Sequence, residues 1–454
     1  MRFTQPEHFS DDFTCARHPR PGLGRTGICG FSRPLPLQHF TLSNGLSVYL
    51  RPDHTNQLAA VQLWYHVGSS HEPAGHSNLS HLLEHLIFEG SSKLAAGQYS
   101  RVIARLGGNA NASTHEEATA YEITLPVARL PIALEIMADA MNSATFGQAE
   151  LDREKKAVED ERRLKLDNHP DQQAYDLHLA LAHGGNAYGQ PSFGSLADLA
   201  DIGLETLRTW YATWYRPNNA TLVVVGGIDL ATLRTQVEQH FAGLPSAPVP
   251  KRPAPRQAQP LQARTQTVSL PGLREGLFMS FNVPSRATAA DAATAPALEL
   301  IREVLAEGFS ARLYSDLVRD KRLLTGISIT YQPLLQGDTL LTLSAYVNSM
   351  NSTPAQAAHA VCQHLEALRN TAVPTAELER AKLRMLARRL FTDSQVAQAE
   401  RIGEAAAAGI AVAAVDQDIQ IIRDLDSQQV QQVALAYLGR ERLTTSYLQP
   451  GATA

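Results

Sequence analysis

The sequence predicts an α+β fold of two homologous domains, each a mainly antiparallel sheet with helices packed on it, joined by a Pro-rich linker. Three observations carry this. The chain has 454 residues, more than one core ordinarily takes, and two domains of about 200 residues are the simplest division. Hydrophobic residues make up 44% and charged residues 19%, the balance of a globular chain rather than a disordered one. An order of strands, helix, strands and long helices runs once before the proline-rich stretch PSAPVPKRPAPRQAQP (245–260) and again after it.

The elements follow in order. Residues 1–35 are rich in Pro, Gly and Arg, show little periodicity, and read as an N-terminal extension. The first domain is expected over 36–244. LSNGLSVYL (42–50) predicts a strand, a turn at Asn44-Gly45, and a second strand. LAAVQLWYHVG (58–68) predicts another strand. Residues 77–90 read as a helix that starts near Ser77 and Asn78 and stops at Gly90. A helix near 97–106 follows, then short strands within GGNANASTHEEATAYEITLP (107–126). Helices are expected at 129–144 and 148–166, and TLVVVGGID (221–229) reads as a buried strand ending in a glycine turn. The linker, stiff and solvated by composition, is placed at 245–264. In the second domain, 265–454, strands are expected near 265–283, helices at 291–306 and 309–321, strands over 326–346, then long helices. EGSSKL (89–94) and EGFSARL (307–313) each follow an apolar helix, a short echo in matching places.

Composition excludes several classes. The net charge of −5 argues against nucleic acid as a partner, because phosphate binding needs a basic face. No apolar run approaches the roughly 20 residues of a membrane span. The N-terminus has no uninterrupted apolar stretch of signal-peptide type, so a cytoplasmic rather than periplasmic location is expected. The three cysteines, Cys15, Cys29 and Cys362, are odd in number and form no CxxC pair. Neither a disulfide framework nor a cysteine zinc site is expected.

The chemistry concentrates in HLLEH (81–85). On a helix, His81 and His85 stand one turn apart on one face, so both imidazoles can reach one metal ion. Glu84 borders that face and is the right type of group to take a proton from water activated by the metal. H-x-x-E-H is the inverted form of a zinc-peptidase motif. With 16 histidines in the chain, a polar helix face carrying two of them by chance stays open. That alternative must still find partners for three polar groups beside Leu82, Leu83, Leu86 and Ile87. Two histidines on zinc call for a third protein ligand and one open position. AELDREKKAVEDERRLKLDN (149–168) offers Glu154 and Glu161, seven apart on one helical face. The same run also reads as an ordinary solvated helix laced with charge. The second half has no copy of HLLEH, so any metal site is single.

HLLEH, with Glu161 far downstream, resembles the pitrilysin or insulysin type of zinc peptidase. It is most similar to the short-chain branch that includes mitochondrial processing peptidase and bacterial relatives. TLSNGLSVYL, VGSSHEPAGHSNLSHLLEHLIFEGSS, GGNANASTHEEATAYEITLP, AYGQPSFGSLADLADI and WYRPNNATLVVVGGID carry the likeness, over roughly 36–448. The first 35 residues have no counterpart. The resemblance implies a zinc endopeptidase with one Zn2+ per chain. It implies His81, His85 and Glu161 as ligands, Glu84 as general base, and Glu154 as a supporting carboxylate behind a ligand. Asn111 and Ala112 match an edge strand on which the family lays an extended peptide, held by main-chain bonds.

Two departures matter. The family usually has glycine where Asn78 stands, which reads as a tolerated change of helix cap. In its second domain the family carries an Arg followed seven positions later by a Tyr, both contacting substrate. Here VRDKRLLTG supplies Arg319, but position 326 is Gly; Tyr331 is near and at the wrong spacing. The resemblance therefore implies the zinc-bearing half of a heterodimer, rather than a homodimer, whose homologous partner brings the Arg–Tyr pair. A non-catalytic scaffold and a zinc-dependent peptide-capturing protein remain as alternatives.

Overall fold

The computed structural model describes residues 36–452; the N-terminal extension, with Cys15 and Cys29, and the last two residues lie outside them. Asn44-Gly45 makes the expected turn. Gly45 takes φ +93°, and the Asn44 amide donates to the Phe241 and Leu244 carbonyls at 2.7 and 3.1 Å. The turn joins β1 (Gln38–Thr41) to β2 (Ser47–Pro52). With β3 (Leu58–Tyr65), β4 (Asn109–Thr114), β5 (Thr119–Pro126) and β6 (Ala220–Gly226), they form a sheet in the order β1-β2-β6-β3-β5-β4. Strands β2 and β6 run parallel; every other pair is antiparallel.

The second sheet repeats the plan. Its strands are β7 (Arg264–Leu270), β8 (Gly276–Val283), β9 (Leu324–Tyr331), β10 (Thr339–Val347) and β11 (Leu443–Pro450), in the order β7-β11-β8-β10-β9. Here β7 and β11 are the parallel pair. Dropping β1, the two orders superpose strand for strand, which bears out the predicted duplication. β11 went unpredicted: LTTSYLQP has no clean alternation, and it is buried because helices and neighbouring strands enclose it.

The helices of the first half are α1 (Leu79–Leu86), α2 (Gln98–Arg105), α3 (Leu130–Ser143), α4 (Gln148–Arg162), α5 (Pro170–His183), α6 (Leu196–Asp201), α7 (Leu204–Trp214) and α8 (Leu230–Phe241). Those of the second are α9 (Thr294–Ala306), α10 (Pro354–Asn370), α11 (Thr375–Phe391), α12 (Gln395–Ala407), α13 (Val412–Asp424) and α14 (Ser427–Tyr437). Three predicted helices are corrected. The one expected at 77–90 is α-helical only over α1 and tightens to a 3₁₀ turn at Ile87–Glu89 before Gly90, at φ +140°. The one expected at 148–166 ends at Arg162 and widens into a π-helical turn, Arg163–Asp167, which buries Leu166. The one expected at 309–321 contains a π-helical stretch, Tyr314–Asp320. π-helical turns cluster at functional sites, and the first of the two begins two residues after Glu161. The strand expected at 58–68 stops at Tyr65, because Gly68 passes against the backbone at 115–118. A Cβ there would stand 2.1 Å from the His115 carbonyl oxygen.

Each half lends a helix to the other's sheet. α5 lies on β7, β8, β10 and β11, and α12 lies on β3 and β6. Trp64 on β3 packs with Ala399, Ile402 and Ala405 of α12. Both faces of β3 and β6 are thereby covered, which is why both strands are buried almost throughout. No single helix among the described residues is long and apolar enough to cross a membrane.

Candidate metal centre

α1 is built to present three polar groups. Leu79, Leu82, Leu83 and Leu86 are fully buried on one face, each contributing roughly 1.5–3 kcal/mol. His81, Glu84 and His85 lie half-buried on the opposite face. The helix start corrects the expected role of Asn78. Its φ of +76° is left-handed, and its side chain makes no capping bond. Glycine suits that conformation, and asparagine is among the few other residues that tolerate it. The cap comes from Glu72, whose carboxylate accepts from the Ser80 and Asn78 amides at 2.7 and 2.9 Å. Burial of Glu72 pushes its carboxyl up to about 7 against those donors.

α4 crosses α1 and brings Glu161 to the histidines. Its Oε2 lies 3.4 Å from His81 Nε2 and 3.5 Å from His85 Nε2. The donor atoms of His81, His85 and Glu161 fall within 4.8 Å of one another, the metal-type cluster found among the described residues. The residues fit zinc. Ligands at 2.0–2.1 Å in a tetrahedron stand about 3.3 Å apart, close to the spacing seen. Glu154 Oε2 lies 3.2 Å from His85 Nδ1, the carboxylate behind a ligand that fixes the imidazole's orientation. Burial disfavours a charged His85, yet the carboxylates of Glu154 and Glu161 outweigh it and raise His85 to about 9. The bonds from His81 and His85 hold Glu161 far below the usual carboxylate range. The cleft thus favours a positive charge where the ion would sit. Glu159, similar in composition, is exposed on another face of α4.

Glu84 is not part of that cluster. Its Oε2 accepts from Thr114 Oγ1 at 2.6 Å. Ala112 lies between two cavities that meet at Glu84. One, of about 350 Å³, also reaches His81, Glu161, Thr114 and Phe193. The other, of about 270 Å³, reaches His85, Phe88 and Glu154. β4 ends the sheet, so one edge of it is unpaired by any strand among the described residues. Asn111 is exposed on that strand. A third cavity, of about 300 Å³, opens by Trp64 and Glu404 and touches none of these groups.

The second half does not reach this site through the residues expected. Arg319 is exposed, donates to Asp320 and Ser315, and lines neither cavity at Glu84. Tyr331 cannot stand in for a missing tyrosine: it is buried, and its hydroxyl donates to the Pro284 carbonyl at 2.8 Å. At Gly326 a side chain would meet open space, with nothing within 4 Å of a Cβ. Sequence reasoning missed four residues that shape the centre. Phe193 sets its ring edge against His81, with centroids 5.7 Å apart. Arg162 holds that loop through the Phe193 and Gly194 carbonyls, at 3.2 and 2.7 Å. Lys165 pairs with Glu161 one turn on, a spacing the sequence does show. Thr114 stands two residues beyond Ala112, the strand period that keeps both on one face.

An inverted H-x-x-E-H helix, a distant glutamate brought to its two histidines, and a sheet-edge strand beside them define a zinc metallopeptidase. Residues 47–194 match Insulinase (Peptidase family M16), and residues 201–385 match Peptidase M16 inactive domain. The chain belongs to the M16 peptidase family. It is 29% identical to the zinc protease PqqE of Helicobacter pylori, over 76% of this chain and 77% of that one. It is 25% identical to the uncharacterized zinc protease YmxG of Bacillus subtilis, over 77% and 82%. The crystal structure of a protease from Helicobacter pylori superposes with a TM-score of 0.84 at 28% identity, covering 92% of this chain and all of that one.

Proposed function

We propose that the chain is the catalytic subunit of an endopeptidase that cuts peptides or short unfolded segments, holding one zinc ion on His81, His85 and Glu161. The observation that carries this is Glu161 Oε2 placed 3.4 and 3.5 Å from the two Nε2 atoms of one helix face. Zinc held there supplies Lewis acidity, which polarises a carbonyl and makes water a stronger acid. Glu84 then takes the proton of the water that attacks the scissile carbonyl carbon, and delivers it to the amine nitrogen as the C–N bond breaks. Glu154 keeps His85 turned toward the ligand cluster. The peptide lies as an added strand along the free edge of β4 at Asn111 and Ala112, held by main-chain bonds.

Positioning is the weak point of this chain alone, and misplacing a flexible peptide is costly. Gly326 brings no side chain, and Arg319 is occupied locally. A homologous subunit carrying an Arg–Tyr pair completes the site in a dimer. The test is a peptide library assayed with the zinc-loaded chain, with its Glu84→Gln form, and with the homologue added, while mass is followed by light scattering. Weak cutting by the chain, none by Glu84→Gln, and a gain on forming a mixed dimer are expected. Full turnover by a homodimer, unchanged by the homologue, contradicts the subunit reading. Peptide binding without cutting under every condition contradicts the enzyme reading and leaves a capturing or scaffold subunit.

A further inference from the structure

β4 offers more than an edge. Its side chains alternate: Asn109, Asn111 and Ser113 share one face, and Ala110, Ala112 and Thr114 the other. The second set faces α1. Ala110 and Ala112 pack on the core beneath that helix. The third of the set, Thr114, ends the strand opposite Thr119. Where its neighbours carry methyl groups, Thr114 carries a hydroxyl, and that hydroxyl meets Glu84 at 2.6 Å. It is the hydrogen bond recorded for the Glu84 carboxylate among the described residues, reaching across thirty positions of chain.

The strand is itself held firmly at this end. The Ser113 hydroxyl lies 3.1 Å from His115 Nε2, and the His115 ring stacks on Trp64 at 5.6 Å. Two residues on, Glu117 accepts from the Gln336 amide at 2.7 Å and from the Tyr188 hydroxyl. Thr114 is thus a fixed donor, not a side chain on a loose loop. A carboxylate on a half-exposed helix face otherwise rotates about its terminal bond. One oxygen pinned by Thr114 leaves the other with a defined direction.

We propose that Thr114 is a positioning residue that aims Glu84, and that it thereby couples the peptide-receiving strand to the proton-transferring group. A peptide seated on β4 is in register with Thr114, and Thr114 is in register with the Glu84 carboxylate. Displacing the strand misplaces the proton acceptor, and the reverse. This rests on the reading of Glu84 as that acceptor.

The test compares Thr114→Val, which keeps the shape and strand preference of the residue and removes the hydroxyl, with Thr114→Ser, which keeps the hydroxyl. The first readout needs no activity. In the metal-free full chain labelled with 13C at the glutamate carboxyl, the Glu84 resonance is the one lost in Glu84→Gln. It is expected to move in Thr114→Val and to stay in Thr114→Ser; an unmoved signal in Thr114→Val overturns the proposal. The second is turnover by the zinc-loaded protein. Thr114→Val is expected to lower kcat roughly ten- to a hundredfold, as loss of supporting partners does, with KM and zinc content unchanged and activity restored in Thr114→Ser. Wild-type kcat in Thr114→Val, with Glu84→Gln dead, also overturns it. A wild type that cuts nothing contradicts the proposed function instead, and the carboxyl signal still decides whether Thr114 holds Glu84.

Discussion

Glu84, Glu154 and Glu161 surround the same two histidines, and their surroundings give them different work. Glu161 faces two imidazole nitrogens, Glu154 faces the back of one, and Glu84 faces a threonine. Glu161→Gln is expected to lose zinc, as are His81→Ala and His85→Ala, whereas Glu159→Gln keeps wild-type affinity in a zinc titration. Glu154→Gln is expected to weaken zinc affinity about 10–100-fold. Glu84→Gln is expected to keep its zinc and lose about 10²–10⁴-fold in turnover; an emptied site in that variant would show that Glu84 is a ligand. The candidate site was legible in sequence because helical period alone sets His81, Glu84 and His85 on one stripe, with Glu154 and Glu161 seven apart on another helix. Phe193, Arg162 and Glu72 were not, because their contacts cross loops whose path no local pattern encodes.

Two contacts between elements carry tests of their own. α12 approaches β3 so closely that a Cβ at Gly403 would stand 2.1 Å from Trp64 Nε1. Trp64 is fully buried, and its indole N–H donates to Gln62 Oε1 at 2.9 Å, so any shift of the ring strains that bond. Gly403→Ala is expected to cost about 1–3 kcal/mol in urea unfolding, and adding Trp64→Phe should recover part of it. Glu117 ties the turn after β4 to the second half through the Gln336 amide, and through Tyr188, whose hydroxyl donates to Glu117 and accepts from the Gly337 amide at 3.0 Å. Its burial is the largest influence and raises its carboxyl to about 7, with Glu116 adding to it against the donors. The folded pKa lies above the unfolded one, so the contribution of Glu117 is full below about 4.5 and is lost as pH rises through about 7. In the metal-free protein, wild type is expected to lose about 1–3 kcal/mol relative to Glu117→Gln between those pH values. Parallel stability curves for the two would contradict it. Strands such as β3 and β6 were readable from their apolar runs. The exchange of α5 and α12 was not, because an apolar helix face does not say which sheet it will meet.

At the scale of the molecule, two copies of one plan have diverged. The first carries the His81, His85 and Glu161 cluster on α1 and α4; the second has α9 and α11 in the corresponding places without it. The second copy's edge strand, β9, carries Gly326 where the family places its tyrosine, and the space around it is open. Gly326→Tyr is therefore expected to fold normally and to raise the chain's turnover on peptides, while leaving zinc content unchanged. No gain in turnover would mean that the partner supplies more than a hydroxyl. The duplication was visible in sequence as EGSSKL and EGFSARL, since both follow the helix that packs first on its own sheet.

The central claim is that this chain holds a metal ion on His81, His85 and Glu161. Anomalous scattering from zinc-soaked crystals, collected on either side of the zinc absorption edge, tests it most directly. One peak per chain is predicted, within bonding distance of His81 Nε2, His85 Nε2 and Glu161 Oε2, with Glu84 near it but not on it. No peak, or a peak held by other residues, would contradict the account.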